Sequence, residues 1–157
     1  GILIDATDFV ITRTAVFDVV ETAVGIRCED PGCLRGQIDL RDLEIRRARA
    51  GLVVLGANAT LRDSTISDNS GVGVTATQTG AVAPVNLVSV ITSQVSGNNA
   101  GVQVSGANSS AYVSDSTIVR NATGVSPVAS GTIVSAGDNR LVANTVNGAF
   151  SSTVLKI

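Results

Sequence analysis

The chain has 157 residues and a formal net charge of −2; 44% of residues are hydrophobic and 15% charged. That much apolar surface excludes a disordered chain, and a pI near 4.9 leaves no positive field to attract nucleic acid. Histidine, tryptophan and methionine are absent. This removes serine–histidine triads and zinc–histidine sites, and leaves a core of Val, Ile, Leu and Ala.

In chain order, Gly1-Ile2-Leu3-Ile4 opens an apolar, strand-like segment, and Phe9, Ile11 and Val16 continue it more loosely. Gly25-Ile26 starts the next unit and leads into Cys28-Glu29-Asp30-Pro31-Gly32-Cys33. Pro31-Gly32 is a turn dipeptide that brings the two cysteines together. Four intervening residues do not make a redox pair of the CxxC type, and no histidine is present to complete a metal site. The reading is a Cys28–Cys33 disulfide in an oxidising compartment, with two reduced thiols on a loop as the alternative.

From Ile38 onward one skeleton recurs. Ile45, Ile66, Val95, Ile118 and Leu141 each end a short apolar alternation. Five residues before each stand Leu40, Leu61, Val90, Val113 and Ala136, and seven before stand Ile38, Ala59, Val88, Ala111 and Val134. Three residues after them come Asn69, Asn98, Asn121 and Asn144, with Ala48 in the first copy. A Gly-aliphatic pair follows, which puts the repeat glycines at Gly1, Gly25, Gly51, Gly71, Gly101, Gly124 and Gly148. Spacings of roughly 20 to 30 residues signal a solenoid. The local period of two makes its segments strands, three per repeat.

The run Val113-x-Asp115-Ser116-Thr117-Ile118-x-x-Asn121-x-x-Gly124-Val125 and its copies resemble the right-handed parallel β-helix repeat of the pectin-lyase-like superfold. The resemblance implies an all-β, three-walled solenoid of about six coils spanning residues 1–157. Coils start near 1, 25, 51, 71, 101 and 124, with a partial coil or cap over 148–157. It also implies a secreted or cell-surface setting, since the superfold includes adhesins and uncharacterised surface proteins as well as polysaccharide lyases and hydrolases. The start at a repeat boundary is read as a fragment of a longer solenoid, whose open ends would allow end-to-end association of coils.

The repeated polar residues have structural readings. Asn69, Asn98, Asn121 and Asn144 are expected to stack as a hydrogen-bonded ladder. Ser64, Ser93 and Ser116 are expected to face inward and satisfy their hydroxyls along the axis. Asp42, Asp63, Asp115 and Asp138, with Thr92 between them, are expected to cap turn amides; a calcium row is the alternative. The outward positions of the second strand offer one charged group, Asp39, Arg41 and Arg62, with Tyr112 as the only aromatic ring for a sugar. This is the candidate ligand surface. No catalytic residue, metal site or cofactor is expected. The expected role is a non-enzymatic structural or adhesive module facing a polysaccharide or cell-surface partner, with a carbohydrate-active or carbohydrate-binding module as the alternative. No apolar run reaches the ~20 residues of a membrane span.

Overall fold

A computed structural model describes residues 1–5, 8–27, 37–78 and 86–154. Among these there is no helix, and every sheet pairing is parallel. The chain winds through three walls. The first stacks Ile2–Ile4, Thr22–Arg27, Ala50–Leu55, Val72–Thr77, Ala100–Ser105 and Thr123–Val128. The second stacks Phe9–Thr12, Gln37–Arg41, Asn58–Arg62, Asn86–Ile91, Ser109–Ser114, Thr132–Ser135 and Ser152–Thr153. The third stacks Ala15–Phe17, Glu44–Arg46, Thr65–Ser67, Gln94–Ser96, Thr117–Val119 and Arg140–Val142. Six coils at ~4.8 Å per rung make a rod about 30 Å long.

The period of two turns alternate side chains into the bore. Leu52, Val54, Val74, Val102, Val104 and Val125 line it from the first wall, Ile38, Leu40, Leu61, Val90 and Val113 from the second, and Ile45, Ile66, Val95 and Ile118 from the third. All are essentially inaccessible to solvent. Each contributes about 1.5–3 kcal/mol of apolar burial, so this aliphatic column is the main source of stability.

Two register details differ from the sequence pattern. Val74 pairs with both Leu52 and Val102, and Val24 pairs with Leu52. The inward small-residue column therefore runs Ala23, Gly51, Gly73, Gly101, Gly124; Gly25 and Gly71 stand two residues away from it, and Thr75 rather than Gly73 faces outward. The cause is steric. A Cβ on Gly51, Gly73 or Gly101 would lie 2.5, 2.9 or 2.6 Å from the carbonyl oxygen of the next coil's glycine and 2.7, 2.7 or 2.8 Å from Ile66, Val95 or Ile118, and it would also meet the asparagine amide, at 3.1 Å from Asn69 Nδ2, 2.8 Å from Asn98 Nδ2 or 3.0 Å from Asn121 Nδ2. Ala23 stands in the coil that carries Ala48 in place of the asparagine, where no amide competes for the space. In the last coil Ala111 pairs with Ile133 and Val113 with Ser135. Ile133 and Ser135 are therefore buried and Val134 faces outward, one step from the expected register; the passage to the third wall holds one extra residue, with Ala136 also buried and Gly137 at φ +84°.

Candidate functional site

Cys28 and Cys33 lie outside the described residues. The other expected site residues can be placed. On the outer face of the second wall, Arg41 pairs in register with Arg62 and Asp39 with Thr60. Arg41 Nε donates to Asp39 Oδ2 at 2.8 Å, and Nη2 donates to the same oxygen. These hydrogen bonds hold the Asp39 carboxyl below its usual range against the opposing effect of burial, and the same bonds raise Arg41. Arg62 adds charge stabilisation to Asp39, but its Nε is buried without a hydrogen-bond partner. Tyr112 shares the Asp39 row through Thr60 and Ser89. It lies three strands away, about 14 Å at the rung spacing. The structure thus joins Asp39, Arg41 and Arg62 and leaves Tyr112 apart.

Inside the bore, polar side chains of each coil hold the backbone of the one before it. Asn98 Oδ1 accepts from Asn69 N at 3.0 Å and Nδ2 at 2.9 Å; Asn121 Oδ1 accepts from Asn98 in the same way, and Asn144 Oδ1 from Asn121. Asn69 ends the ladder on Ala48 N at 2.9 Å. The serines form a second ladder. Ser64, Ser93 and Ser116 accept through Oγ from the amides of Leu43, Ser64 and Ser93. Each hydroxyl donates to the carbonyl two residues earlier, that of Arg62, Ile91 or Ser114. Asn139, overlooked in the sequence reading, ends this ladder by accepting from Ser116 N at 2.9 Å. It stands two residues before Leu141, as Ser116 stands two before Ile118, and that offset is the signal that could have found it.

The aspartate column does different work from the one expected. Asp42, Asp63, Thr92 and Asp115 hold φ between +48° and +54°. Their role is to occupy the left-handed corner that Asp and Asn tolerate better than most residues. Among the described residues, Asp138 is the one member of this column that caps an amide, accepting from Asp115 N at 2.8 Å. A second left-handed column, Asp18, Arg47, Asp68, Gly97 and Arg120, turns the third wall into the first. Arg47 donates to Asp18 at 2.6 and 3.0 Å, which holds Asp18 below its usual range, and Arg49 donates to Glu21 at 3.0 Å. These pairs are solvent-exposed and add little stability.

Where the second wall meets the third, three coils leave an open trough of about 420 Å³. Asp63, Thr92 and Asp115 form one bank, Thr65, Gln94 and Thr117 the other, and Ser64 and Ser93 the floor. Among the described residues no group of three His, Cys, Asp or Glu side chains is placed to hold a metal ion, so the acidic corner does not form a calcium cluster.

Three parallel walls, a continuous aliphatic bore and two amide-binding ladders define a right-handed three-walled parallel β-helix. Residues 1–156 match the family described as the periplasmic copper-binding protein NosD, and the chain belongs to that family. No curated protein and no solved structure matches the chain.

The family description corrects the expectation of no cofactor, because it names copper. The described residues do not fit that metal. Copper favours imidazole, thiolate and thioether ligands; the chain has no histidine or methionine, and the described residues offer oxygen donors in no cluster of three. Cys28 and Cys33 are the only sulfur ligands in the sequence. No helix among the described residues is long and apolar enough to cross a membrane.

Proposed function

We propose that this chain is a non-enzymatic β-helix module of the cell envelope or the exterior, acting as a rigid structural or adhesive element that presents its outer walls to a polysaccharide or protein partner. The observation that carries the reading is the pairing of Asp39 with Arg41. Asp39 is the acid on the outer face of the second wall, and its carboxyl is held ionised by the guanidinium, which suits neither a general acid nor a base poised near neutral pH. The periplasmic description of the family supports a location beyond the cytoplasm. A screen of acidic and neutral polysaccharides, with and without calcium or copper, tests the reading. We expect no unsaturated or reducing ends. Release of such ends that disappears in Arg41→Ala or Arg62→Ala would overturn the structural role in favour of a carbohydrate-active one.

A second reading is favoured by the copper in the family description together with the sulfur inventory: copper carriage through Cys28 and Cys33. It competes with the Cys28–Cys33 disulfide, because copper binds thiolates and a disulfide has none. Mass spectrometry of the protein as purified separates the two. A gain of two hydrogens on reduction supports the disulfide. Two free thiols that hold one cuprous ion against a competing chelator, with the ion lost in Cys28→Ser, support copper carriage.

A further inference from the structure

We propose that Asn147 is a self-modification site, whose side-chain amide the chain itself converts to aspartate and isoaspartate through a cyclic imide with the Gly148 nitrogen. This goes beyond the scaffold reading and stands or falls separately from it. Asn147-Gly148 is the one Asn-Gly pair in the sequence, and both residues are exposed. The attacking nitrogen belongs to the next residue, so it never leaves reach of Asn147 Cγ. Elsewhere in the rod the amide that follows an asparagine is engaged. After the four ladder asparagines, Ser70, Asn99, Ala122 and Thr145 each donate to a carbonyl of the preceding coil. The exposed Asn99 and Asn108 are guarded too, because Ala100 N donates to the Gly71 carbonyl and Ser109 N to that of Gly106. Among the described residues the Gly148 amide donates to nothing. Glycine is required there, since φ is +72° and a Cβ would overlap the Val125 carbonyl. It also leaves the nitrogen unshielded.

A neighbouring amide activates the electrophile. Asn144 Nδ2 donates to Asn147 Oδ1 at 3.0 Å, and this is the oxygen on which negative charge develops during attack. The Gly148 amide gives its proton to a solvent base, and its nitrogen bonds to Cγ. The Cγ–Nδ2 bond then breaks, the leaving nitrogen taking a proton from water to depart as ammonia. A second water opens the imide. Cleavage at Cγ gives aspartate; cleavage at the main-chain carbonyl gives isoaspartate, whose backbone runs through Cβ and Cγ. The consequence falls on the same rung. The Asn147 carbonyl accepts from Val125 N at 3.0 Å. Beyond it the Ser151 and Val154 amides reach the Ile133 and Ser135 carbonyls, and Phe150 packs against the core. A backbone lengthened at 147 takes that carbonyl out of register and loosens residues 148–154. Either product adds one negative charge.

The test is a time course of the folded chain at mildly alkaline pH, read by peptide mapping with mass spectrometry. Asn147 should convert at least about tenfold faster than Asn99 or Asn108, and the gap should narrow in urea, where the other amides are released. The rate should rise with pH, because the attacking nitrogen must lose its proton. Asn144→Asp keeps the oxygen to which Asn121 donates and removes the donor to Asn147; it should slow conversion about tenfold, whereas a merely loosened coil would speed it. In the converted fraction, hydrogen exchange should quicken at the amides of Val125, Ser151 and Val154. The proposal is overturned if Asn99 or Asn108 keeps pace with Asn147 in the folded chain, if Asn144→Asp leaves the rate unchanged or raises it, or if exchange at those three amides is the same in converted and unconverted chains.

Discussion

The corner from the second wall to the third and the corner from the first wall to the second are built on opposite principles. The former takes two residues in each of five successive coils, Arg13-Thr14, Asp42-Leu43, Asp63-Ser64, Thr92-Ser93 and Asp115-Ser116. The latter spans only Gly56-Ala57 in one coil, Gly106 to Asn108 in another, and longer segments at 28–36 and 78–85. The difference follows from what each corner holds. In the short corner a buried serine hydroxyl accepts the amide of the coil before it, so an added residue would unseat a buried hydrogen bond unless a longer side chain replaced the serine, as Asn139 does in the longer corner of the last coil. No side-chain ladder of that kind runs through the variable corner among the described residues. Length can change there at little more than the cost of closing a longer loop. A solenoid keeps its rise where side chains cross between coils in a ladder that repeats, and diversifies where the crossings are isolated, as from Gln37 N to Asp8 Oδ1 and from Asn108 N to Gln78 Oε1.

The largest expected effect comes from the bore that both corners enclose. Ile118→Asp would place a charge where no polar partner exists and should cost more than about 4 kcal/mol in urea unfolding. A loss under about 1 kcal/mol would mean that Ile118 is not inward.

Next is the asparagine ladder, on the third corner. Asn98→Ala removes the acceptor for two Asn69 donors and leaves them buried, at an expected cost of about 2–4 kcal/mol. The pairing of Ala23 with Ala48 gives a sharper variant of the same test. Ala48→Asn alone should destabilise, because its amide would meet the Ala23 Cβ. Ala23→Gly with Ala48→Asn should recover most of that loss, giving a coupling of about 1–2 kcal/mol in a double-mutant cycle. Additive single effects would show that glycine is not there to make room for the amide.

The smallest effect is electrostatic. Asp18 and Asp39 are held below the ordinary carboxylate value of 3.8, so the unfolded chain takes up protons first as pH falls. Their contribution is present above about pH 4–5 and lost as pH falls through 3.8 and below. Asp39→Asn should flatten the acid limb of the stability–pH curve slightly and leave neutral pH nearly unchanged. A large loss at pH 7 would contradict the surface character of the pair.

Much of this architecture was legible in the chain, and the misses have physical causes. The alternation around Ile66, Val95 and Ile118 identified the inward rows because the centres of the strands meet in the bore, where aliphatic side chains fill the space, while the buried serines and asparagines stand at the corners. The asparagines were legible because their spacing from those rows is fixed by the ladder. Gly25 and Gly71 misled because glycine also serves outside the column; the criterion is close approach of the next coil's carbonyl together with an asparagine amide, which no local pattern displays. Val134 was misplaced because Gly137 lengthens the following corner. The separation of Tyr112 from Arg41 and Arg62 follows from counting rungs. The trough was not legible: Asp63 and Gln94 come from different coils and different walls, and only the left-handed corner brings their rows together.

The central claim, that repeating serine and asparagine ladders fix two corners while the first-to-second corner carries only isolated cross-coil bonds, is tested most directly by moving one insertion within one coil. Gly-Ser-Gly would be placed between Asp115 and Ser116 in one variant and between Gly106 and Ala107 in another, and unfolding free energies measured in urea. The account predicts a loss of several kcal/mol for the first and no more than about 1 kcal/mol for the second. Equal losses, or a greater loss between Gly106 and Ala107, would contradict it.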